Sequence, residues 1–241
     1  MSETPTMATS NSLWGHIQQQ VCLRSGKVAA QYKKNGRWQQ KTWKEVSDES
    51  EDIAMGILTL GLEVGDRVNI ISNTRYEWII TDLAIVAVAG VTVPIYPTSV
   101  AKEAFYITEH SGAEIIFVEN DEQLKKILDL EKQFRKLVKK VVIYDGKASD
   151  DGWIISLVDL IALGQEQKEK KLRDLRKREM DLSPATLYKI IYTSGTTGPP
   201  KGVVYTHDHM MYEGQIIEEL GLLEPEFCQF LFLPLAHSFA C

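Results

Sequence analysis

Apolar residues follow two repeating patterns along the middle of the chain. Between residues 66 and 144, four short β-prone runs alternate with stretches in which apolar residues recur at helical spacing. The predicted strands lie within residues 66–72, 91–96, 114–118 and 141–144. Strands separated by helices at these distances fit parallel βαβ crossovers, which place helices on the faces of a sheet. The pattern predicts an α/β fold with a doubly wound, mostly parallel sheet and flanking helices.

Local signals predict where several helices begin and end. Thr42 and Glu45 have the spacing of a capping box, in which two side chains satisfy free N–H groups of the first helical turn. Thr74 and Glu77 repeat that spacing. A further helix, capped by Thr98 or Ser99, is predicted to end at Ser111 before Gly112. Residues 121–138 read as one amphipathic helix.

The segments on either side of this alternation carry other signals. Asn35-Gly36 lies between two β-prone runs, which predicts a hairpin over residues 28–41. Near the other end, Asp208 is a candidate cap for a helix from Met210 to Leu220. His207 and His209 flank it, but side chains at this spacing diverge at a helix start, so a metal site is the weaker interpretation. Residues 230–233 are predicted as a buried strand.

Composition and charge narrow the function classes. The chain has 241 residues, 44% of them hydrophobic and 25% charged, as in soluble globular proteins. Its net charge of −6 and the mixed signs in residues 165–181 argue against a nucleic-acid partner. Three scattered cysteines form no disulfide framework, which favours a reducing, cytoplasmic compartment. The uncharged run 83–101 is long enough for a membrane span, but Gly90 and two prolines favour a buried helix and strand.

A stretch rich in hydroxyls and glycine, residues 192–202, carries the strongest chemical signal. It reads Tyr-Thr-Ser-Gly-Thr-Thr-Gly-Pro-Pro-Lys-Gly and lies between two β-prone runs. Glycines allow a backbone to approach a ligand, and hydroxyls with free N–H groups can surround phosphate oxygens. Lys201 adds a positive charge. The spacing is not that of a Walker A loop, and a solvated turn is the alternative that composition alone allows.

At these residues the chain resembles the AMP-forming adenylating enzymes, which include acyl-CoA synthetases and luciferases. A second block of that superfamily follows at residues 233–239, Leu-Pro-Leu-Ala-His-Ser-Phe. Residues 73–78 and 92–98 look like the long-chain fatty acid–CoA ligase branch. The resemblance implies that a carboxylate attacks the α-phosphate of ATP, and that the acyl adenylate passes to coenzyme A. ATP, Mg²⁺ and coenzyme A are the implied cofactors, with a fatty acid as substrate and no nucleic acid.

The resemblance also implies roles for particular residues. The implied phosphate ligands are Thr193, Ser194, Gly195, Thr196, Thr197, Gly198 and Lys201. His237 is the implied catalytic residue at the junction of the acyl and nucleotide pockets, with a hydrogen-bonded core histidine as the alternative. No metal ligand is assigned, because no carboxylate here matches the family's metal-binding glutamate. Trp78, Tyr96 and Tyr192 are left without a role.

The resemblance implies a division of the chain as well. Residues 1–12 are expected to be a disordered tail, 13–164 a first α/β subdomain of the family's large N-terminal domain, and 165–182 a charged helical connection. Residues 183–241 would begin a second subdomain. Later family motifs are absent, so the chain is expected to be an inactive N-terminal piece with exposed apolar surface.

Several alternatives stay open. Peripheral membrane contact and a homodimer are compatible with the resemblance. Another carboxylate substrate, such as an aryl or amino acid, is the second functional hypothesis. A non-catalytic nucleotide-binding scaffold is the third.

Overall fold

A seven-stranded sheet with helices on both faces forms the body of the protein. The computed structural model describes residues 12–193, 198–221 and 228–237. The strands are β1 Val28–Lys34, β2 Arg37–Thr42, β3 Arg67–Ile71, β4 Val91–Ile95, β5 Ile115–Asn120, β6 Lys140–Asp145, β7 Ile154–Ser156, β8 Leu187–Thr193 and β9 Lys201–Thr206. The helices are α1 Leu13–Arg24, α2 Trp43–Thr59, α3 Tyr76–Ala87, α4 Ala101–Ser111, α5 Asp121–Leu128, α6 Glu131–Leu137, α7 Leu157–Glu166, α8 Lys168–Asp181 and α9 His207–Glu219.

The order of strands in the main sheet is β7-β6-β5-β3-β4-β8-β9. Every neighbouring pair from β7 to β8 is parallel, and only β9 runs antiparallel, beside β8. The chain enters the sheet at β3 and builds outward in both directions, which is the doubly wound arrangement. The predicted fold class is therefore confirmed. The division into subdomains stays a prediction, and β8 joins the same sheet as the strands before it.

Alternating residues of the parallel strands supply two separate hydrophobic clusters, one on each face of the sheet. In β5, Ile115 and Phe117 pack into one cluster while Ile116 and Val118 pack into the other. This follows from the two-residue period of a strand, which points neighbouring side chains to opposite faces. The strands are apolar on both faces because helices cover both.

The β1–β2 hairpin lies outside the main sheet. Its strands are antiparallel, with Lys34 opposite Arg37 and Lys33 opposite Trp38. Asn35 and Gly36 connect them, and both have positive φ, 50° and 75°. Two successive residues in this conformation match the right-handed twist of paired strands, which is why Asn-Gly is favoured there.

Helix boundaries agree with the sequence only where the signal is local. The capping box of Thr42 and Glu45 is present, and Gly112 ends α4 in the left-handed conformation. The box predicted for Thr74 and Glu77 is wrong, because α3 begins after Arg75 without a side-chain cap. Thr74 bonds to a tertiary partner instead, and Glu77 bonds to the neighbouring Arg75; both contacts are described below.

Three other boundaries needed correction. Residues 121–138 form two helices, because the chain leaves helical geometry at Leu130 and Phe134 then packs edge-on against Phe105 of α4. Helix α9 begins at His207 with Thr206 at its N-cap, so Asp208 is inside the helix. Residues 230–233 form no strand, and their aromatic side chains are exposed.

The uncharged run 83–101 is the end of α3 followed by β4, both buried, as predicted. Within the described residues, no helix is long and apolar enough to cross a membrane.

Candidate functional site

Loops that follow β3, β5 and β6 converge at the carboxyl edge of the sheet, and Arg75 connects them. Its guanidinium lies 2.7 Å from carboxylate oxygens of both Glu77 and Asp145. Glu119, at the end of β5, accepts hydrogen bonds from the backbone N–H and the side-chain amide of Asn73 at 2.7 and 2.8 Å. Parallel strands bring their carboxyl ends to one edge, so residues far apart in sequence meet here.

The charges in this cluster stabilise one another. Burial opposes the positive charge of Arg75, but hydrogen bonds to Glu77 and Asp145 raise its pKa. Burial likewise opposes the charge on Glu77, but the hydrogen bond from Arg75, a backbone hydrogen bond and the positive charge of Arg75 together lower the pKa of that carboxyl. The ion pairs of Arg75 with Glu77 and Asp145 therefore hold the loops after β3 and β6 together.

The glycine-rich stretch begins at the carboxyl end of β8, near the same edge. Thr193 and Lys201 are directly opposite each other in the β8–β9 pair, and both are exposed. Gly198 has a φ of +106°, which L-residues rarely adopt, although an added Cβ would meet no atom within 4 Å. The predicted ligands Ser194, Gly195, Thr196 and Thr197 lie outside the described residues. An exposed hydroxyl and an exposed cation in one cross-strand pair are suited to binding an anion.

Two residues of α4 anchor both sides of the glycine-rich stretch. Nδ1 of His110 lies 2.7 Å from the hydroxyl of Tyr192, and the hydroxyl of Tyr106 donates to the carbonyl of Pro200 at 3.0 Å. The rings of Tyr106 and Tyr192 meet edge to face. Burial, with a smaller effect of Tyr106, raises the pKa of Tyr192. Sequence reasoning missed Tyr106 and His110, because nothing near them in the chain indicates a contact more than 80 residues away.

Gly202 is required by packing. A Cβ at this position would come within 2.8 Å of Ile190 and 3.3 Å of the Tyr192 ring. The last glycine of the stretch therefore lets β9 lie close to β8 and keeps Tyr192 in reach of His110.

The segment that carries His237 is tied to the carboxyl end of β3. The hydroxyl of Thr74 donates to the carbonyl of Leu233 at 2.6 Å, which explains why it does not cap α3. Leu235 and Ala236 are buried, whereas His237 is exposed and its N–H donates to the carbonyl of Pro234. The alternative of a core histidine does not fit this exposure, and the catalytic role of His237 stays a prediction.

His207 and His209 have different surroundings. His207 is buried, and its Nδ1 accepts a hydrogen bond from the N–H of Leu13 at 3.2 Å. Burial lowers the pKa of His207 to about 4, although Asp82 opposes that effect. His209 accepts the N–H of Thr206 and so serves the start of α9. In the three described ranges, no group of three or more His, Cys, Asp or Glu could hold a metal ion.

Comparison with known proteins places the chain in a family. The family described as "AMP-binding enzyme" matches residues 17–241. The chain therefore belongs to the AMP-binding enzyme family. Among its relatives, the long-chain-fatty-acid–CoA ligase FadD15 of Mycobacterium bovis is 36% identical over 208 residues, which are 86% of this chain and 33% of that protein. The human long-chain-fatty-acid–CoA ligase ACSBG2 is 30% identical over 216 residues, 89% of this chain and 32% of that protein.

Solved structures support the same fold. A putative long-chain-fatty-acid CoA ligase from Rhodopseudomonas palustris aligns with a TM-score of 0.75 at 18% identity, over 94% of this chain and 52% of that chain. ATP-bound MatB from the same organism aligns with a TM-score of 0.75 at 20% identity, over 96% and 42% of the two chains. The chain spans about a third of the length of the curated relatives named above.

Proposed function

We propose that the protein is an AMP-forming fatty acid–CoA ligase and that residues 193–201 hold the β- and γ-phosphates of ATP. The observation that carries this proposal is the cross-strand pair of Thr193, at the end of β8, and Lys201, at the start of β9. Both residues are exposed, and they lie at the carboxyl edge of a parallel sheet. That edge is where ligands of open α/β sheets bind. The relatives named above are long-chain-fatty-acid–CoA ligases, which supports the substrate class.

The reaction requires that negative charge be brought together and then released. A carboxylate must approach a polyphosphate, and the departing pyrophosphate gains further charge. Lys201 would attract the terminal phosphates, and Thr193 would donate its hydroxyl to them. Positive φ at Gly198 would turn backbone N–H groups of the connection toward the same oxygens. When bound, Mg²⁺ supplies further neutralisation of the polyphosphate.

The anchors on α4 would prepare this site before ATP arrives. Tyr106 and His110 hold the residues on either side of the connection, which reduces the conformational entropy lost when ATP binds. His237 is proposed to contact the reacting groups, since Thr74 ties its segment to the carboxyl end of β3. Coenzyme A is the proposed acceptor of the acyl group.

Titration calorimetry with ATP and Mg²⁺ tests the phosphate site. The full-length gene product should bind ATP, and Lys201→Ala should weaken that binding by about tenfold or more, because a charge-assisted contact is lost. Lys170→Ala, on the exposed face of α8, is the matched control and should leave affinity unchanged. Equal affinity of Lys201→Ala and the unaltered protein would contradict the assignment.

Pyrophosphate exchange tests the reaction and its substrate class. With ATP present, a long-chain fatty acid should stimulate exchange of labelled pyrophosphate, whereas aryl and amino acids should not. Stimulation only by an aryl or amino acid would assign a different adenylating enzyme. ATP binding without exchange for any carboxylate would favour a nucleotide-binding scaffold.

A further inference from the structure

The amino-terminal part of the chain has a charge balance opposite to that of the whole. Residues 4–44 contain seven lysines and arginines and no aspartate or glutamate, although the chain has a net charge of −6. Concentrating one sign in one segment creates a local field that attracts the opposite charge. The asymmetry points to an anionic partner for this part of the molecule.

Three of these cations lie at the tip of the β1–β2 hairpin, together with an exposed tryptophan. Lys33 is opposite Trp38, and Lys34 is opposite Arg37, in adjacent cross-strand pairs. All four side chains are exposed, and Trp38 is 64% exposed. A tryptophan left in water at the end of a two-stranded ribbon is an unusual use of a large apolar ring, since such rings normally supply burial.

Among the described residues, the tip cations are not held in ion pairs, and the one contribution of a tip cation within the protein is a minor one, the long-range attraction by which Lys34 helps to lower the pKa of Glu77. In the part of the chain that the structure describes, Lys33, Lys34 and Arg37 form no salt bridge. By contrast, Lys41, at the base of the hairpin, is paired with Glu49. Lys34 and Arg37 also line an open concavity whose other walls are Asn35 and Gln39. The tip therefore presents exposed positive charge, amide donors and one apolar ring.

We propose that the tip of the β1–β2 hairpin docks on a bilayer surface that contains anionic phospholipids. Lys33, Lys34 and Arg37 contact lipid phosphates, and Trp38 enters the headgroup region. Tryptophan suits that region because one end of the ring is apolar and the other carries an N–H. Basic side chains gain attraction from an anionic lipid surface within a Debye length.

A lipid surface fits this tip better than a nucleic acid. Single-stranded nucleic acids bind in grooves where successive aromatic rings stack on bases. Here the second aromatic residue of the hairpin, Tyr32, is stacked on Tyr76 with ring centroids 4.5 Å apart and is occupied within the protein. A single projecting ring with flanking cations matches a planar surface. The choice of a lipid also rests on the proposed fatty acid substrate, which partitions into bilayers.

The docking is expected to be weak, reversible and sensitive to salt. A single acyl chain already gives only marginal, reversible membrane binding, and a basic cluster with one inserted ring lacks even that anchor. Salt screens the charge contribution, because the Debye length falls to about 8 Å at physiological ionic strength. Such docking would let the protein collect its substrate at a membrane and then dissociate from the membrane.

Vesicle co-sedimentation tests the charge contribution without ATP or fatty acid. The protein should bind vesicles of phosphatidylcholine mixed with phosphatidylserine and not those of phosphatidylcholine alone. Binding should fall by about tenfold or more in the variant Lys33→Glu, Lys34→Glu, Arg37→Glu. The control variant Lys170→Glu, Arg173→Glu, Lys177→Glu changes the net charge equally on exposed positions of α8 and should keep its binding. Equal losses in the two variants would overturn the proposal.

Tryptophan fluorescence tests the insertion of Trp38. With anionic vesicles, emission of the unaltered protein should shift to the blue and be quenched by brominated lipid, and Trp38→Phe should lose both effects. Unchanged behaviour of Trp38→Phe would overturn insertion, and circular dichroism would verify that each variant is folded. Tighter binding to a single-stranded oligonucleotide than to the mixed vesicles would overturn the lipid partner. Because no substrate is present, failure of the proposed ligase activity would leave the docking result standing.

Discussion

Tyr106 and His110 are single residues that decide the geometry of a segment distant in sequence. Each has one polar contact to the glycine-rich stretch, on opposite sides of it. Between them they hold a strand residue, Tyr192, and a loop residue, Pro200. We expect them to position the stretch rather than to bind phosphate, since their hydrogen bonds go to Pro200 and Tyr192 and not to the exposed pair Thr193 and Lys201.

Removal of the Tyr106 hydroxyl should loosen the glycine-rich stretch. We expect Tyr106→Phe to raise the KM for ATP by about twofold to tenfold, which is the loss of one neutral hydrogen bond. The backbone amides of Gly198, Lys201 and Gly202 should also exchange hydrogen faster. Tyr212→Phe removes a hydroxyl from an exposed ring on α9 and should change neither quantity. A KM equal to that of the unaltered protein would show that the contact is not needed for ATP binding.

His207 should make stability depend on pH. Its pKa is about 4 in the folded protein and near 6.5 when unfolded, so the unfolded chain binds more protons between these values. The stability that neutral His207 contributes should therefore be fully present above pH 6.5 and be lost as the pH falls toward 4. The free energy of unfolding should decrease by roughly 2 kcal/mol between pH 7 and pH 5. Urea unfolding at both pH values measures it.

The variant His207→Asn isolates this contribution. Its side-chain oxygen can still accept the N–H of Leu13, but it does not titrate. The difference in stability between pH 7 and pH 5 should shrink in the variant. If both proteins lost the same stability, other groups would be responsible.

At the scale of elements, two glycines allow α2 and α7 to cross in contact. A Cβ added to Gly56 would lie 2.5 Å from the carbonyl oxygen of Leu160, and one added to Gly164 would lie 2.5 Å from the backbone nitrogen of Gly56. The backbones therefore touch where the helices cross. Glycine disfavours a helix by about 1 kcal/mol relative to alanine, so its presence at both positions reflects packing rather than propensity.

Alanine at this crossing should push the helices apart. We expect Gly56→Ala to lower the free energy of unfolding by about 1–3 kcal/mol, because an extra methyl group in a well-packed core forces the surrounding atoms apart. Gly214→Ala, in exposed helix α9 with no atom within 4 Å of the added Cβ, should instead stabilise by up to about 1 kcal/mol. Urea denaturation of both variants provides the comparison. Stabilisation by both substitutions would contradict the close crossing.

Across the whole molecule, apolar side chains are exposed around β9, α9 and residues 230–232. The rings of Phe230 and Phe232 are 76% and 70% exposed and stack on each other. Others in the same part of the chain are Val203, Val204, Tyr212, Ile216, Ile217 and Leu220. Exposed apolar area on this scale promotes association.

The 241-residue chain should bind an apolar-surface dye strongly. Phe230→Ser with Phe232→Ser should reduce the dye fluorescence and the amount of associated protein seen by sedimentation velocity. Leu23→Ser changes an equally exposed apolar residue on α1 and should have little effect on either. A clean monomer without dye binding would contradict the exposure of these rings.

The sequence by itself determined the alternation of four strands with helical segments between residues 66 and 144, the hairpin turn at Asn35-Gly36 and the family. These follow from local periodicity, local turn chemistry and a contiguous motif, which need no knowledge of distant contacts. Tertiary structure alone decided which distant residues meet. Thr74 and Glu77 had the spacing of a cap, yet Thr74 bonds to Leu233, because a tertiary partner outcompeted the local one. Contacts such as that of His110 with Tyr192 arise only when helix α4 packs against one face of the sheet.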